Sequence, residues 1–248
     1  MEKPTIFHEI LSSDIPDSEK ATQRLVDEAM VLTIAGADTT AMTLSALVFH
    51  VLYDPAIYAK LSNDINAAFP DASQPLDPAK LDGLKYLNAL IEETLRLYPS
   101  ATHRQNRVAP DDDLLFTYPD GRTLVIPAGT SVGMTASLIN RHPSWFENPE
   151  NFEPNRYIEG NTPLRRQLTF SKGARQCLGM NLAYQELQIF AAGIFRKYGR
   201  FDPTVKQQKG PTLELYETGA EDVRTYADFV TPGLRPGSQG VRLKIREG

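Results

Sequence analysis

Apolar residues recur every three or four positions over roughly the first hundred residues, then lose that order. The rhythm predicts a long helix from about Lys20 to Tyr53, with Asp17-Ser18 after Pro16 as its N-cap. Asp54-Pro55 ends that helix and starts a second, Ala56 to Phe69, with proline at its first position. Asp77-Pro78 repeats the start signal, and a third helix from about Gly83 to Leu97 is stopped by Pro99. Between Arg107 and Gly133 the pattern changes to short apolar runs divided by turn residues. Leu124-Val125-Ile126 and Ser131-Val132, on either side of Pro127-Ala128-Gly129, predict a hairpin. Residues 143–169 are rich in Pro, Asn, Arg and aromatics and have no period, as in a long loop with a task of its own or no fixed structure. A further helix follows Cys177 to about Tyr198, and short strands (Leu213 to Tyr216, Val241 to Ile245) alternate with Gly and Pro in the tail. The expected fold class is mainly α with small β-sheets, and no repeat, low-complexity run or linker divides the chain.

Composition changes this picture little. An apolar share of 41% in 248 residues is enough for a sizeable core. A net charge of −5 gives no reason to expect nucleic acid. Ala29 to Leu52 comes nearest to a membrane span, but it carries Asp38 and four threonines, so it is expected to be a buried helix. Met1-Glu2-Lys3-Pro4-Thr5 contains no apolar leader. A single cysteine suits a reducing compartment and excludes an intrachain disulfide.

That cysteine lies in Phe170-Ser171-Lys172-Gly173-Ala174-Arg175-Gln176-Cys177-Leu178-Gly179. A lone cysteine is either an inert buried residue or one reactive or ligating sulfur. Its surroundings favour ligation. Gly173 and Gly179 let backbone approach something flat, Arg175 is a nearby cation, and the helix that follows offers its positive end to a thiolate. A thiolate, a cation and an apolar cradle suit heme iron, with sulfur on the metal and arginine on a propionate.

Other groupings are weaker alone. Ala35-Gly36-Ala37-Asp38-Thr39-Thr40 sets four poor helix formers in a helix centre. A threonine there can bond the carbonyl four residues back and open a groove beside an acid and an alcohol, a pair able to relay protons; a kinked helix with a satisfied buried Asp38 is the plainer alternative. Glu93 and Arg96 share a helix face, usually a solvated contact. Phe152-Glu153-Pro154-Asn155-Arg156-Tyr157 supplies a cation able to complete an Arg–Glu–Arg network. Gly129-Thr130-Ser131-Val132-Gly133 matches a hydrolase elbow, yet only His142 follows it, too near to serve. His8, His50, His103 and His142 have no zinc spacing.

In order and spacing, Ala-Gly-x-Asp-Thr-Thr (35–40), Glu-x-x-Arg (93–96), Phe-x-Pro-x-Arg-aromatic (152–157) and Phe-x-x-Gly-x-Arg-x-Cys-x-Gly (170–179) resemble the C-terminal half of a cytochrome P450. The resemblance covers essentially residues 1–248, and is greatest to fungal secondary-metabolism members of the trichodiene-oxygenase kind. It implies a heme cofactor with Cys177 as the iron ligand, Arg107 and Arg175 on the propionates, and Phe170, Gly173 and Gly179 shaping the cradle. Asp38 and Thr39 would be catalytic, delivering protons on the distal side, while Glu93, Arg96 and Arg156 would be structural. It further implies insertion of one oxygen atom from dioxygen into an apolar small molecule, by hydroxylation or epoxidation, with electrons from NADPH through a reductase. A basic patch of Lys172, Arg165, Arg166, Arg196 and Lys197 would dock that reductase, and Ile34, Ala35, Ser100 to Thr102 and Phe229-Val230 would meet substrate. Family members sit at the endoplasmic reticulum membrane, facing the cytoplasm, through an N-terminal anchor; the expectation is that this anchor and the N-terminal half are absent here. An oxygen-independent heme-thiolate isomerase and a non-catalytic heme-binding fragment remain the alternatives.

Overall fold

The computed structural model describes residues 4–159 and 162–247. The α-helices are α1 (Ile6–Ser12), α2 (Thr22–Tyr53), α3 (Pro55–Ala68), α4 (Pro78–Asp82), α5 (Lys85–Leu97), α6 (Ala136–Ile139) and α7 (Met180–Lys197). The strands are short: β1 (Gln105–Val108), β2 (Leu114–Thr117), β3 (Thr123–Ile126), β4 (Ser131–Met134), β5 (Gly199–Arg200), β6 (Thr212–Leu215), β7 (Ala227–Phe229), β8 (Thr231–Gly233) and β9 (Leu243–Arg246). The mainly α expectation with small sheets therefore holds.

Aspartate and proline set the helix starts. The Asp54 carboxylate accepts the Ala56 N–H at 2.8 Å and the Asp77 carboxylate accepts the Ala79 N–H at 2.9 Å, with proline next in each case. Two predicted boundaries move. Asp17 lies inside a 3-10 turn, Asp17–Lys20, and extended backbone at Ala21 separates that turn from α2, which has no side-chain cap. The third helix begins at Lys85 rather than Gly83, where α4 has just ended. Its cap comes from another helix: Asp64 on α3 accepts the N–H groups of Tyr86 and Leu87 at 2.9 and 3.1 Å.

The core forms where the C-terminal half of α2 meets α3, α5 and α7, around Leu47, Val51, Leu61, Leu90, Ile91 and Leu187. α5 is buried along almost its whole length. The expectation of a buried α2 holds only for that half. Residues 22–38 are exposed or half-exposed, and Met30, Val31 and Ile34 are more than half exposed, because no core helix reaches them. α2 is long and apolar enough to span a membrane by length and composition, but its packed C-terminal half makes it a core helix.

The hairpin predicted around Pro127-Ala128-Gly129 does not form. β3 pairs antiparallel with β2 (Leu115↔Val125) and β4 with β1 (Arg107↔Val132), so the turn carries the chain from one ribbon to another. Gly129 sits at φ +77°, which suits glycine, and its N–H reaches back to the Ala109 carbonyl beyond β1 at 2.8 Å. Ser131 opens strand β4 instead of a strand-to-helix turn, which removes the hydrolase alternative. β6 lies between β5 (parallel) and β9 (antiparallel), and β7 pairs with β8.

Candidate functional site

The Glu93 carboxylate, fully buried on α5, organises the long irregular segment. It accepts Arg96 Nε and Nη2, each at 2.8 Å, then Arg156 Nε at 3.0 Å and the Glu153 N–H at 2.7 Å. Every N–H of Arg96 is used, since Nη1 donates to the carbonyls of Asn140 and Pro149 and Nη2 also to that of Asn151. Glu93 and Arg96 are thus not a surface pair but the centre of an Arg–Glu–Arg network. The network fastens residues 140–156 to α5. Asn140 extends it, accepting the Leu168 N–H at 2.8 Å and donating to Thr169 Oγ1 at 3.0 Å. The irregularity foreseen for 143–169 is therefore a loop tied down by polar bonds; residues 160 and 161 lie outside the described residues.

This scaffold holds the cysteine segment over a cavity of about 540 Å³. Cys177 is exposed, lines the cavity and donates its N–H to the Phe170 carbonyl at 2.9 Å. It lies just before α7, whose N-cap is Gly179. Between Phe170 and Cys177 the backbone takes two left-handed steps, at Ser171 (φ +59°) and Gly173 (φ +79°). The second needs glycine; Gly179, at φ −84°, does not. A Cβ built on either glycine would meet nothing within 4 Å, so open space lies beside the backbone there.

Arg107 on β1 and Arg175 line the same cavity. Arg107 donates to the Asn106 carbonyl at 2.9 Å, and Arg175 has no carboxylate partner among the described residues. Leu95, Ala101, Phe170, Ala183 and Leu187 supply apolar wall.

α2 adds Thr39, Thr40 and Thr43 to the same lining. Thr39 Oγ1 donates to the Ala35 carbonyl at 2.6 Å, the bond expected from the sequence, and the helix runs on unbroken. The kinked-helix alternative, with a buried Asp38, is not what forms. Asp38 is exposed and does not line the cavity. One helical residue is about 100° of rotation, and that step turns Asp38 into a neighbouring cleft with Met42, Tyr98, Asp222 and Leu234.

The segments expected to meet substrate are only partly gathered. Ser100 and Ala101 line the cavity, and Ser100 Oγ donates to the Thr39 carbonyl at 2.9 Å. Thr102 donates its N–H to the Val230 carbonyl at 3.1 Å and its hydroxyl to Asp228 at 2.8 Å, which joins the β7–β8 tip to this wall. Ile34 stays on the exposed part of α2. Thr40, from the 35–40 motif, also lines the cavity, as does His103, which was considered only as a zinc ligand; Thr43 and Asn106 line it too and went unrecognised, because nothing in sequence sets them apart from ordinary helix or strand positions. Of the five basic residues expected to form a patch, four are already engaged on rings: Arg165 on Tyr184 (4.8 Å), Arg166 on Trp145 (5.2 Å), Arg196 on Phe69 (5.7 Å) and Lys197 on Tyr198 (5.1 Å).

One cavity of this mainly helical fold thus gathers a thiol, two guanidinium groups and a threonine-bearing helix. Residues 6–218 match the family model for Cytochrome P450, and the chain belongs to that family. It is 41% identical over 251 residues to the cytochrome P450 monooxygenase astB of Talaromyces wortmannii, covering 98% of this chain and 50% of that protein. It is 34% identical over 248 residues to the fusicoccadiene C-8 hydroxylase of Phomopsis amygdali (99% and 44% covered). It is 35% identical over 250 residues to the N-acetyltryptophan 6-hydroxylase ivoC of Emericella nidulans (98% and 45%). The chain spans about half the length of the curated relatives it matches. A crystal structure of a cytochrome P450 (CYP102L1) superposes with a TM-score of 0.73 at 21% identity, over 100% of this chain and 51% of that one, a likeness of fold.

Family membership implies a heme, and the residues present fit one. The cavity joins one sulfur donor to two cations of the kind that bind carboxylates, between apolar walls, with room beside both glycines.

Proposed function

We propose that this chain is the heme-binding, C-terminal half of a monooxygenase that inserts one oxygen atom from dioxygen into an apolar small molecule. The observation carrying this is the convergence of Cys177, Arg107, Arg175 and Thr39 on one cavity in a chain of this family. When bound, the heme would supply activation of dioxygen, with electrons from NADPH through a reductase and the second oxygen leaving as water.

The chain's own residues then divide the work. Cys177, just before α7, would hold the iron through its sulfur. Arg107 and Arg175 hold the propionates by charge-assisted hydrogen bonds. Phe170, on the same cavity wall, would pack beside the sulfur. The Thr39 hydroxyl donates its proton to the Ala35 carbonyl, which leaves its oxygen as an acceptor that could steady a protonated group in the cavity Thr39 lines. Asp38 lies in the adjoining cleft, one helical step round from Thr39. The apolar walls favour an apolar substrate; the relatives' names, one a fusicoccadiene hydroxylase and one an N-acetyltryptophan hydroxylase, leave its identity to experiment.

The test is spectroscopic. Loaded with hemin, reduced and exposed to carbon monoxide, the protein is expected to show the far red-shifted Soret band of thiolate ligation, and Cys177→Ala to lose it. An unshifted band in the parent chain overturns the reading. In the active system, Thr39→Ala is expected to consume reductant without matching product.

A further inference from the structure

Glu92 stands beside Glu93 on α5 but serves a different network. Its side chain is almost fully buried, and no ion pair neutralises it among the described residues. Its two oxygens face opposite ends of the segment that carries the cysteine. Oε1 accepts the Tyr184 hydroxyl, on α7 beyond Cys177, at 2.7 Å. Oε2 accepts the Arg165 N–H at 3.0 Å and Gln167 Nε2 at 3.4 Å, both before Cys177. Gln167 Nε2 also reaches the Tyr184 oxygen at 3.2 Å, so the two ends are tied to each other as well as to the carboxylate.

Contacts run from this clasp to the sulfur. The Tyr184 ring lies against that of Phe170, centroids 5.4 Å apart, and the Arg165 guanidinium covers it at 4.8 Å. The Phe170 carbonyl in turn accepts the Cys177 N–H. The enclosed segment contains the left-handed Ser171, a strained conformation that persists only where surroundings enforce it. One buried carboxylate thus closes this segment at both ends.

We propose that Glu92 is a positioning residue for Cys177, its carboxylate clasping both ends of the cysteine segment, with Tyr184 as the arm that carries this to Phe170. The inference rests on Cys177 as the iron ligand. Outer partners that orient a metal ligand tune both its hold on the metal and the metal's electronics. Loosening the clasp weakens donation from the sulfur.

Tyr184→Phe and Glu92→Gln test this, because each keeps size and packing while disturbing the hydrogen bonds. Asp64→Asn is the control, since it loosens the opposite end of α5 without touching the cysteine segment. In the hemin-loaded, reduced carbon-monoxide complex, both clasp variants are expected to convert part of the red-shifted band to the unshifted one. They should also raise the heme reduction potential and lose hemin about tenfold more readily. Asp64→Asn should keep the parental spectrum and potential. Parental spectra and potentials in both clasp variants overturn the proposal, and so does an equal change in Asp64→Asn, which would make the role merely structural. A parent chain with no red-shifted band overturns the heme-thiolate reading itself, whereas a parent with the band and unaltered clasp variants overturns the clasp alone.

Discussion

Arg96 shows at the residue scale how completely a buried charge must be satisfied. Its five N–H groups meet one carboxylate and three carbonyls, and its guanidinium lies 5.1 Å from the Phe146 ring. Lysine cannot reproduce that fork, so Arg96→Lys is expected to cost about 3–5 kcal/mol in urea unfolding. His50 makes a pH prediction. It stacks on Phe152 with centroids 3.6 Å apart and shares a 2.8 Å hydrogen bond with Tyr98. Burial lowers its pKa from 6.5 to about 4, against the pull of Asp54. Between those values the unfolded chain binds the proton and the folded chain does not. The stabilisation is therefore full above pH 6.5 and fades as pH falls toward 4, by about 3 kcal/mol in all. Glu92 works in the opposite sense, because burial raises its carboxyl pKa and its ionisation opposes folding as pH rises. Comparing the parent with His50→Gln at pH 7 and pH 5 separates the two: the parent should lose stability on acidification and the variant should lose much less. The Arg96–Glu93–Arg156 network was legible in sequence through its motifs, whereas the roles of His50 and Glu92 were not. Glu92 and Glu93 are neighbours of one type, and only the fold sends one to two arginines and the other to a tyrosine.

Among elements, α5 carries the most. It packs on α2, α3 and α7 and anchors both the Glu93 network and the Glu92 clasp. Leu90→Ala, at a fully buried α5 position, is expected to cost about 2–5 kcal/mol by chemical denaturation. α2 should show two stabilities. Its first half lacks core packing, and an isolated helix of that length is marginal in water. Hydrogen exchange is expected to be fast over residues 22–38 and strongly protected over residues 43–52. The helices were legible because aspartate–proline pairs write their starts locally. The strands were legible as strands but not as pairs: nothing local to Pro127-Ala128-Gly129 says that β4 will choose β1. The long segment 143–169 read as irregular because its order comes from side-chain bonds to distant α5, which have no period.

For the whole molecule, the four motifs that singled out the family stand apart in sequence and come together only through the α5 scaffold. The cysteine segment and Thr39 reach one cavity, while Glu93 and its arginines fasten residues 140–156 to α5, whose Leu95 lines that cavity. Asp38 was assigned to the same chamber because it adjoins Thr39 in sequence; helical rotation sends it next door. A ligand that binds only the native state stabilises it, by about 2.7 kcal/mol at a hundred times its dissociation constant. Hemin should therefore raise the melting temperature of the parent by several degrees, and of Cys177→Ala by less, in a thermal-shift measurement. The β2–β3 ribbon stands apart from all of this. Both strands are exposed along nearly their whole length, joined by the tight turn in which the Gly121 N–H meets the Tyr118 carbonyl. A fluorophore or affinity handle grafted at Asp120 would ride on a part of the surface with no share in the core, leaving the chemistry free to be watched from outside.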